Sequence, residues 1–432
     1  MFLKRGFFLL LGLSIMFSAF AQSPLDSDSL DAIYVQGVEA YDNNDYVTAA
    51  AHWRSAAEAG HAAAQYEYGL CCFHGEGAEQ DYGQAFSWFV KSAVQGVADA
   101  QFSAGHCCEY GLGISVSPSD AVEWYTMAAS QGHTEAECAV GICYFSGLGV
   151  EKNYDVAVEW FKRAAKKKNA EAQSYLGTCY ANGYGVSPDD DIAVLLYEHA
   201  ARNGSVEGIY NLGNCYEQGI GVEYDWREAI DLYEQAAEDG LACAQYSLAM
   251  CYFDEYMGDD KEKGLEWLNK AAINGYSEAQ YTLALMYKEG DIVPKDMSKA
   301  VMWFSQVAEQ GDTDAMCDLG FCFLTGQGVT ANAETAMRWF MKAVELGSIR
   351  ARHYMGVCHY EGLGVEKNYV KAVEWFTLAA AEEFADSQYY LGVCHYNGQG
   401  VPEDREKGIK LLRKAKYGGS KEARETLIIL SE

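Results

Sequence analysis

At 432 residues and a formal net charge of −30, the chain is too acidic to track a phosphate backbone or an anionic bilayer, which removes nucleic acid from the candidate partners. It is 50% hydrophobic with 31 tyrosines and 5 prolines, a composition that excludes wholesale disorder. Solubility alone accounts for such a charge, and a cationic partner is the sharper reading beside it.

In chain order the first element is an export signal. Lys4 and Arg5 precede an almost unbroken apolar run, Gly6 to Phe20, and Ala19-Phe20-Ala21 supplies small residues at a cleavage-site spacing. Residues 1–21 are therefore expected to be a signal peptide cut before Gln22, and 22–31 a short linker. The run is short for a membrane anchor, so the mature chain is expected to be exported, periplasmic or secreted, with no membrane span.

From residue 32 one pattern recurs: an alanine, Leu-Gly, an aromatic residue, then Gly-x-Gly-Val. The small residue of the Leu-Gly pair falls at Gly69, Gly105, Gly141, Gly177, Gly213, Ala249, Ala284, Gly320, Gly356 and Gly392, a step of 36 residues except 35 before Ala284. A degenerate unit surrounds Gly37. GLGVEKNY occurs twice, at Gly147–Tyr154 and Gly362–Tyr369. Within a period, Ala136, Val140 and Tyr144 lie on one stripe of a first helix, which Gly147-Leu148-Gly149 ends. Ala157, Trp160, Phe161, Ala164 and Ala165 form the apolar face of a second. Pro118, Pro188, Pro294 and Pro402 fall in the loop between the two, where a missing amide hydrogen costs nothing. Glycine inside the first helix costs about 1 kcal/mol relative to alanine, so a bulky ring of the second helix is expected to pack over it. A further glycine closes most second helices; Lys168 and Glu383 replace it in two units, where a different cap is expected.

These residues resemble the Sel-one-like repeat (SLR) family, relatives of the tetratricopeptide repeats, and residues 136–165 match its pattern nearly throughout. Departures occur at Tyr256–Asp260 and at Gly290-Asp291-Ile292. The resemblance implies an all-α fold: a right-handed α-solenoid superhelix of about eleven helix-turn-helix repeats with a 36-residue period over 32–419. Residues 420–432 are expected to form a C-terminal capping helix, as an open stack requires. A cysteine-rich branch of the family cross-links its helices through a Cys-x7-Cys pair. Cys138 and Cys317 match the second half of that pair, but Ser130 and Glu309 stand at the first, so the resemblance implies no such bridge here.

Fourteen cysteines in an exported chain would ordinarily suggest disulfides. Nine of them, Cys71 through Cys394, sit two residues after the small residue of the pair. Equivalent positions in stacked repeats lie roughly 10 Å apart, beyond the reach of a disulfide. They read as core thiols. His106-Cys107-Cys108, Cys358-His359 and Cys394-His395 look like metal ligands, but adjacent helical residues point about 100° apart, so no metal and no cofactor is expected. The Gly-x-Gly loops follow helices, not strands, and are not phosphate loops. No nucleophile elbow or zinc-protease motif occurs. Acidic runs such as Asp189-Asp190-Asp191 read as helix caps, and Lys162, Arg163 and Lys166–Lys168 as a solvated helix end.

By analogy with tetratricopeptide stacks, the first helices line the concave face. Positions three before and four after the small residue then carry an aromatic stripe: Tyr66, Phe73, Phe102, Phe145, Tyr210, Tyr246, Phe253, Tyr281, Tyr360, Tyr389 and Tyr396. Such rings grip an extended peptide or glycan, or they simply fill a tight inner wall. The expected function is a non-catalytic, monomeric interaction scaffold binding a protein or peptide on this face. The alternatives are a glycan or cell-wall binder, or an envelope hydrolase acting on peptidoglycan or β-lactams.

Overall fold

The computed structural model describes residues 27–430; the expected signal segment and its cleavage site lie outside the described residues. Among the described residues there are helices α1–α23 and no strand. The chain divides into two compact units. One runs to Cys215 and includes Ile220–Glu223; the other comprises Tyr216–Gly219 and Tyr224 onward.

The first unit holds five repeats and the start of a sixth. Their first helices are α1 (Ser27–Asp42), α3 (Ala62–His74), α5 (Ala98–Tyr110), α7 (Thr134–Ser146), α9 (Ala170–Asn182) and most of α11 (Val206–Gln218). Their second helices are α2 (Tyr46–Glu58), α4 (Tyr82–Ala93), α6 (Pro118–Ser130), α8 (Tyr154–Lys166) and α10 (Asp190–Arg202). Helix α1 begins at Ser27, inside the stretch expected to be a linker.

The second unit alternates in the same way. Its second helices are α12 (Trp226–Glu238), α14 (Lys261–Ile273), α16 (Met297–Glu309), α18 (Ala333–Glu345), α20 (Tyr369–Ala381) and α22 (Arg405–Tyr417). Its first helices are α13 (Ala242–Phe253), α15 (Ser277–Glu289), α17 (Thr313–Thr325), α19 (Ile349–Glu361) and α21 (Ala385–Asn397), and α23 (Lys421–Ile429) follows α22. The fold is an all-α solenoid.

The glycine of the Leu-Gly pair has the steric reason expected of it. A Cβ on Gly141 would stand 2.5 Å from the Phe161 ring, and one on Gly356 2.5 Å from Phe376. In most units the covering ring is phenylalanine or tyrosine; tryptophan takes that place at Gly37, under Trp53. The second glycine of the loop, such as Gly149 at φ 73°, brings the loop against the Pro118 carbonyl of the preceding repeat. Lys168 (φ 66°) and Glu383 (φ 63°) adopt the same left-handed turn that glycine makes elsewhere, so the different cap expected at these two sites does not form.

Caps hold the second helices as anticipated. Asp189 Oδ1 accepts from the Ile192 amide at 3.0 Å, and Asp81, Asn153, Asp296 and Asn368 act likewise. A device absent from the sequence reading ties the helices together. The buried Gln101 donates to the Ala93 carbonyl of the preceding second helix (3.0 Å) and accepts from Gln131 at the end of the following one (2.8 Å). Gln65, Gln173, Gln245 and Gln280 repeat the arrangement. At the corresponding place in α7, Glu137 takes a salt bridge from Lys167 at 2.7 Å.

Candidate functional site

First helices approach one another across repeats. Helix α7 lies against α9 in the first unit, and α17 against α19 in the second, a closeness second helices do not reach among the described residues. First helices therefore adjoin one another along one wall of each unit.

All eleven residues of the aromatic stripe are partly buried, and none stands free in solvent. The rings three before the glycine pack on their own repeat's second helix, as Tyr66 does on Phe89 (centroids 5.9 Å) and Tyr281 on Phe304 (5.7 Å). The next repeat's N-cap covers several of them. His133 stacks on Phe102 at 4.9 Å and Tyr276 lies 5.4 Å from Tyr246. The rings four after the glycine also have partners. Phe145 meets Tyr154, Phe161 and Tyr175; Tyr360 meets Tyr369 and Tyr390 and donates to Gln399; Phe253 faces Gly264; Tyr396 carries Arg405 at 5.3 Å. Tyr389 adjoins Tyr390, and Tyr210 is half-buried on α11. Much of the stripe is thus packing between neighbours.

Two of its rings, Phe73 and Phe102, line a groove that crosses four successive first helices, α3, α5, α7 and α9. One part, about 210 Å³, is apolar and formed by Leu70, Phe73, Phe89 and Phe102 with Ser103 and His106. The adjoining part, about 340 Å³, shares Phe102 and His106 and carries Glu109, Glu135 and Glu171 among Tyr110, Tyr125 and Tyr175. Neither part is lined by a lysine or arginine. Larger cavities of 590 Å³ and 710 Å³ lie at the α2–α4 loop side and at the turns near Arg350, away from the wall aromatics.

Each side chain of the groove has a local cause. Glu109 is held by the Tyr125 hydroxyl, which donates to its Oε2 at 2.6 Å, and burial, then this bond and the Glu109 charge, raise the tyrosine far above the ordinary phenol range. Tyr175 is fixed by stacking on Phe161 at 5.2 Å. Part of Glu171 reaches solvent, but its Oε2 accepts from the buried Cys138 thiol at 3.6 Å. Loss of water at the wall, then Glu207 and Glu109, hold its carboxyl above the usual carboxylate range. The arrangement offers an apolar slot followed by aromatic faces and carboxylates with no lysine or arginine in the lining. Burial pushes the thiols of Cys71, Cys107 and Cys143 up to about 12, so they are protonated at neutral pH.

Thirteen of the fourteen cysteines are buried, unbridged thiols. Among the described residues no group of three histidine, cysteine or acidic side chains is arranged to hold a metal. His359 and His395 are buried with Nδ1 unpaired, while His106 lines the groove. The basic run is spent locally. Lys162 pairs with Glu159, Arg163 lies over Trp160, and Lys167 holds Glu137. No helix among the described residues is long and apolar enough to cross a membrane.

Glu109, Tyr110, Glu135, Glu171 and Tyr175 had escaped the sequence reading, although a signal existed. Six residues before the pair's small residue stand Asp31, Asp99, Glu135, Glu171 and Glu207, an acidic column at the repeat spacing. Asp31 and Asp99 are met by His61 (2.9 Å) and His133 (3.2 Å).

The geometry has counterparts among known proteins. A solved structure described as c5321, a protective antigen of uropathogenic Escherichia coli strains displaying an SLR fold, is 32% identical, with 93% of this chain and 87% of that one covered at a TM-score of 0.60. A Sel1 repeat protein from Oxalobacter formigenes is 33% identical over 55% of this chain and 96% of its own, with a TM-score of 0.52. No curated protein matches the chain. The Sel1 repeat model matches eleven successive segments, the first at 34–61 and the last at 385–420, in register with the helix pairs. By that match, and by the ring-over-glycine packing repeated through both units, the chain belongs to the Sel1 repeat family, whose members are generally protein-interaction scaffolds.

Proposed function

We propose that the protein is an exported, non-catalytic scaffold that binds a protein or peptide segment along its first-helix wall, with the groove over α3, α5, α7 and α9 as the principal contact. The observation that carries this reading is the groove's continuity: two adjoining cavities share Phe102 and His106 and cross four successive repeats. An extended segment suits such a path, because each repeat offers it another side-chain pocket. The apolar amino terminus with its cleavage-site spacing supports export, as does similarity to a protein described as a protective antigen.

The test is affinity capture from cell-envelope extract with the mature chain, followed by binding of the purified partner. Replacing His106 and Tyr110 by alanine should weaken the partner about tenfold, a loss of about 1.4 kcal/mol, with the melting temperature unchanged. Equal changes on exposed second-helix positions such as Met302 should leave binding intact. A partner held equally well by the groove variant would remove this assignment.

A further inference from the structure

The acidic part of the groove is opposite in charge to the corresponding positions elsewhere in the same chain. In the second unit the Arg350 guanidinium donates to Asp318 at 3.0 and 3.1 Å, lies 3.7 Å from Asp314 and sits 5.6 Å from the Tyr354 ring. Lys288 and the Tyr281 hydroxyl complete the shell of Asp318. Counted from the small residue of each pair, Asp314 corresponds to Glu135, Arg350 to Glu171, and Tyr354 to Tyr175. The first unit repeats the ring and the column carboxylate, but Glu171 and Glu109 stand where the second unit has Arg350 and Lys288, and Ala139 takes the place of Asp318. Glu109, Glu135 and Glu171 have no lysine or arginine in the groove lining, although His133 Nδ1 lies 3.4 Å from Glu135. Loss of water, and after it the charges of Glu207 and Glu109, raises the cost of ionising Glu171, and a cation placed beside it would relieve it.

We infer that the groove takes a basic side chain, arginine or lysine, from an extended segment of the partner, seating its cation among Glu109, Glu135 and Glu171 against Tyr110 and Tyr175. This rests on the reading of the first-helix wall as the binding surface, and it specifies the chemistry of what binds there. The aromatic walls flank the stem and face of such a side chain. The apolar slot of Leu70, Phe73, Phe89 and Phe102 then receives a second, apolar residue of the same segment. Neighbouring first helices lie about 10 Å apart, so the two parts are offset by about 10–15 Å. An extended chain rises about 3.3 Å per residue, which places the two anchor residues about three to five positions apart.

The experiment is selection of peptides from a random display library on the full mature chain, followed by fluorescence anisotropy of the enriched peptides after synthesis. The expected result is enrichment of an arginine or lysine about three to five positions from an aromatic or large aliphatic residue. Glu109→Gln with Glu171→Gln should weaken those peptides about tenfold, and added salt should weaken them further. Glu171→Arg supplies an internal cation, as Arg350 does in the second unit, and should abolish their binding without lowering the melting temperature. Enriched peptides that lack a basic residue but are lost on His106→Ala with Tyr110→Ala would overturn the cation assignment and leave the scaffold reading standing. Peptides indifferent to every groove variant, or no enrichment at all, would overturn both.

Discussion

A phenol buried at the centre of a repeat must find an acceptor, and this need shapes the groove residue by residue. Tyr125 and Tyr233 occupy the place of Phe161 in their repeats, and each donates to a glutamate 16 positions earlier, Glu109 at 2.6 Å and Glu217 at 2.9 Å. Where the core ring is Phe89, Phe161 or Phe376, the glutamate's place holds Phe73, Phe145 or Tyr360 instead. In these two repeats the hydroxyl goes with an acidic slot, whereas Tyr197 in the same place donates to Thr178 and Ala181 stands sixteen residues earlier. Repeat spacing alone makes that exchange visible in the sequence, but its consequence is tertiary, because the carboxylate matters only where first helices adjoin. Histidine shows the same dependence on surroundings. His353 is 8% exposed, accepts or donates at Ser387 Oγ (3.0 Å), and is held down to about 4 by burial and then by Arg350, with Glu422 opposing. Because the folded-state value lies below the ordinary 6.5, the unfolded chain binds this proton first, and stability falls with acidification from about pH 6.5 towards about 4. At pH 5 the loss is about 2 kcal/mol relative to pH 8. Urea unfolding at both pH values should show His353→Gln losing less than the parent by about that amount; an equal loss would contradict the assignment.

At the scale of elements, a repeat is held to its neighbours by buried amides as well as by rings. Gln101 and its equivalents each satisfy one carbonyl and one side-chain amide across three helices, whereas α7 does so with charges. Glu137 is 6% exposed at its side chain and Lys167 39%. Removing only the lysine leaves a carboxylate buried without its counterion. Lys167→Ala should therefore cost about 3 kcal/mol, while Glu137→Gln with Lys167→Gln, which restores the chemistry of Gln101 and Gln131, should stay within about 1 kcal/mol of the parent. Chemical denaturation of the three proteins checks both, and a double variant as unstable as the single one would contradict the staple. Helix positions, N-caps and the ring-over-glycine contact were all legible from spacing, since each follows from local chemistry repeated at a fixed interval. The left-handed turns at Lys168 and Glu383 were not. Side-chain preference argues against that backbone conformation there, and the packed helices on either side of the turn impose it.

For the molecule as a whole, stability in a repeat array is a sum of units and the interfaces between them, so an end depends on its cap. Helix α23 buries Ala423 and lies against α21 and α22. Deleting residues from Ser420 onward should expose that face, lower the hydrogen-exchange protection of α21 and α22 by about tenfold or more, and leave the first unit unchanged. Uniform protection after deletion would show that α23 is not a cap. By itself the sequence determined the all-α repeat architecture, the register of its helices and the core thiols. Periodic residues report local conformation, and a stack repeats one local solution many times. The binding surface was decided by tertiary structure. The aromatic stripe legible at fixed offsets is largely consumed in contacts between repeats, and Phe73 and Phe102 remain as walls of the groove. The groove's carboxylates come from several offsets, and they meet because stacking brings separate first helices side by side.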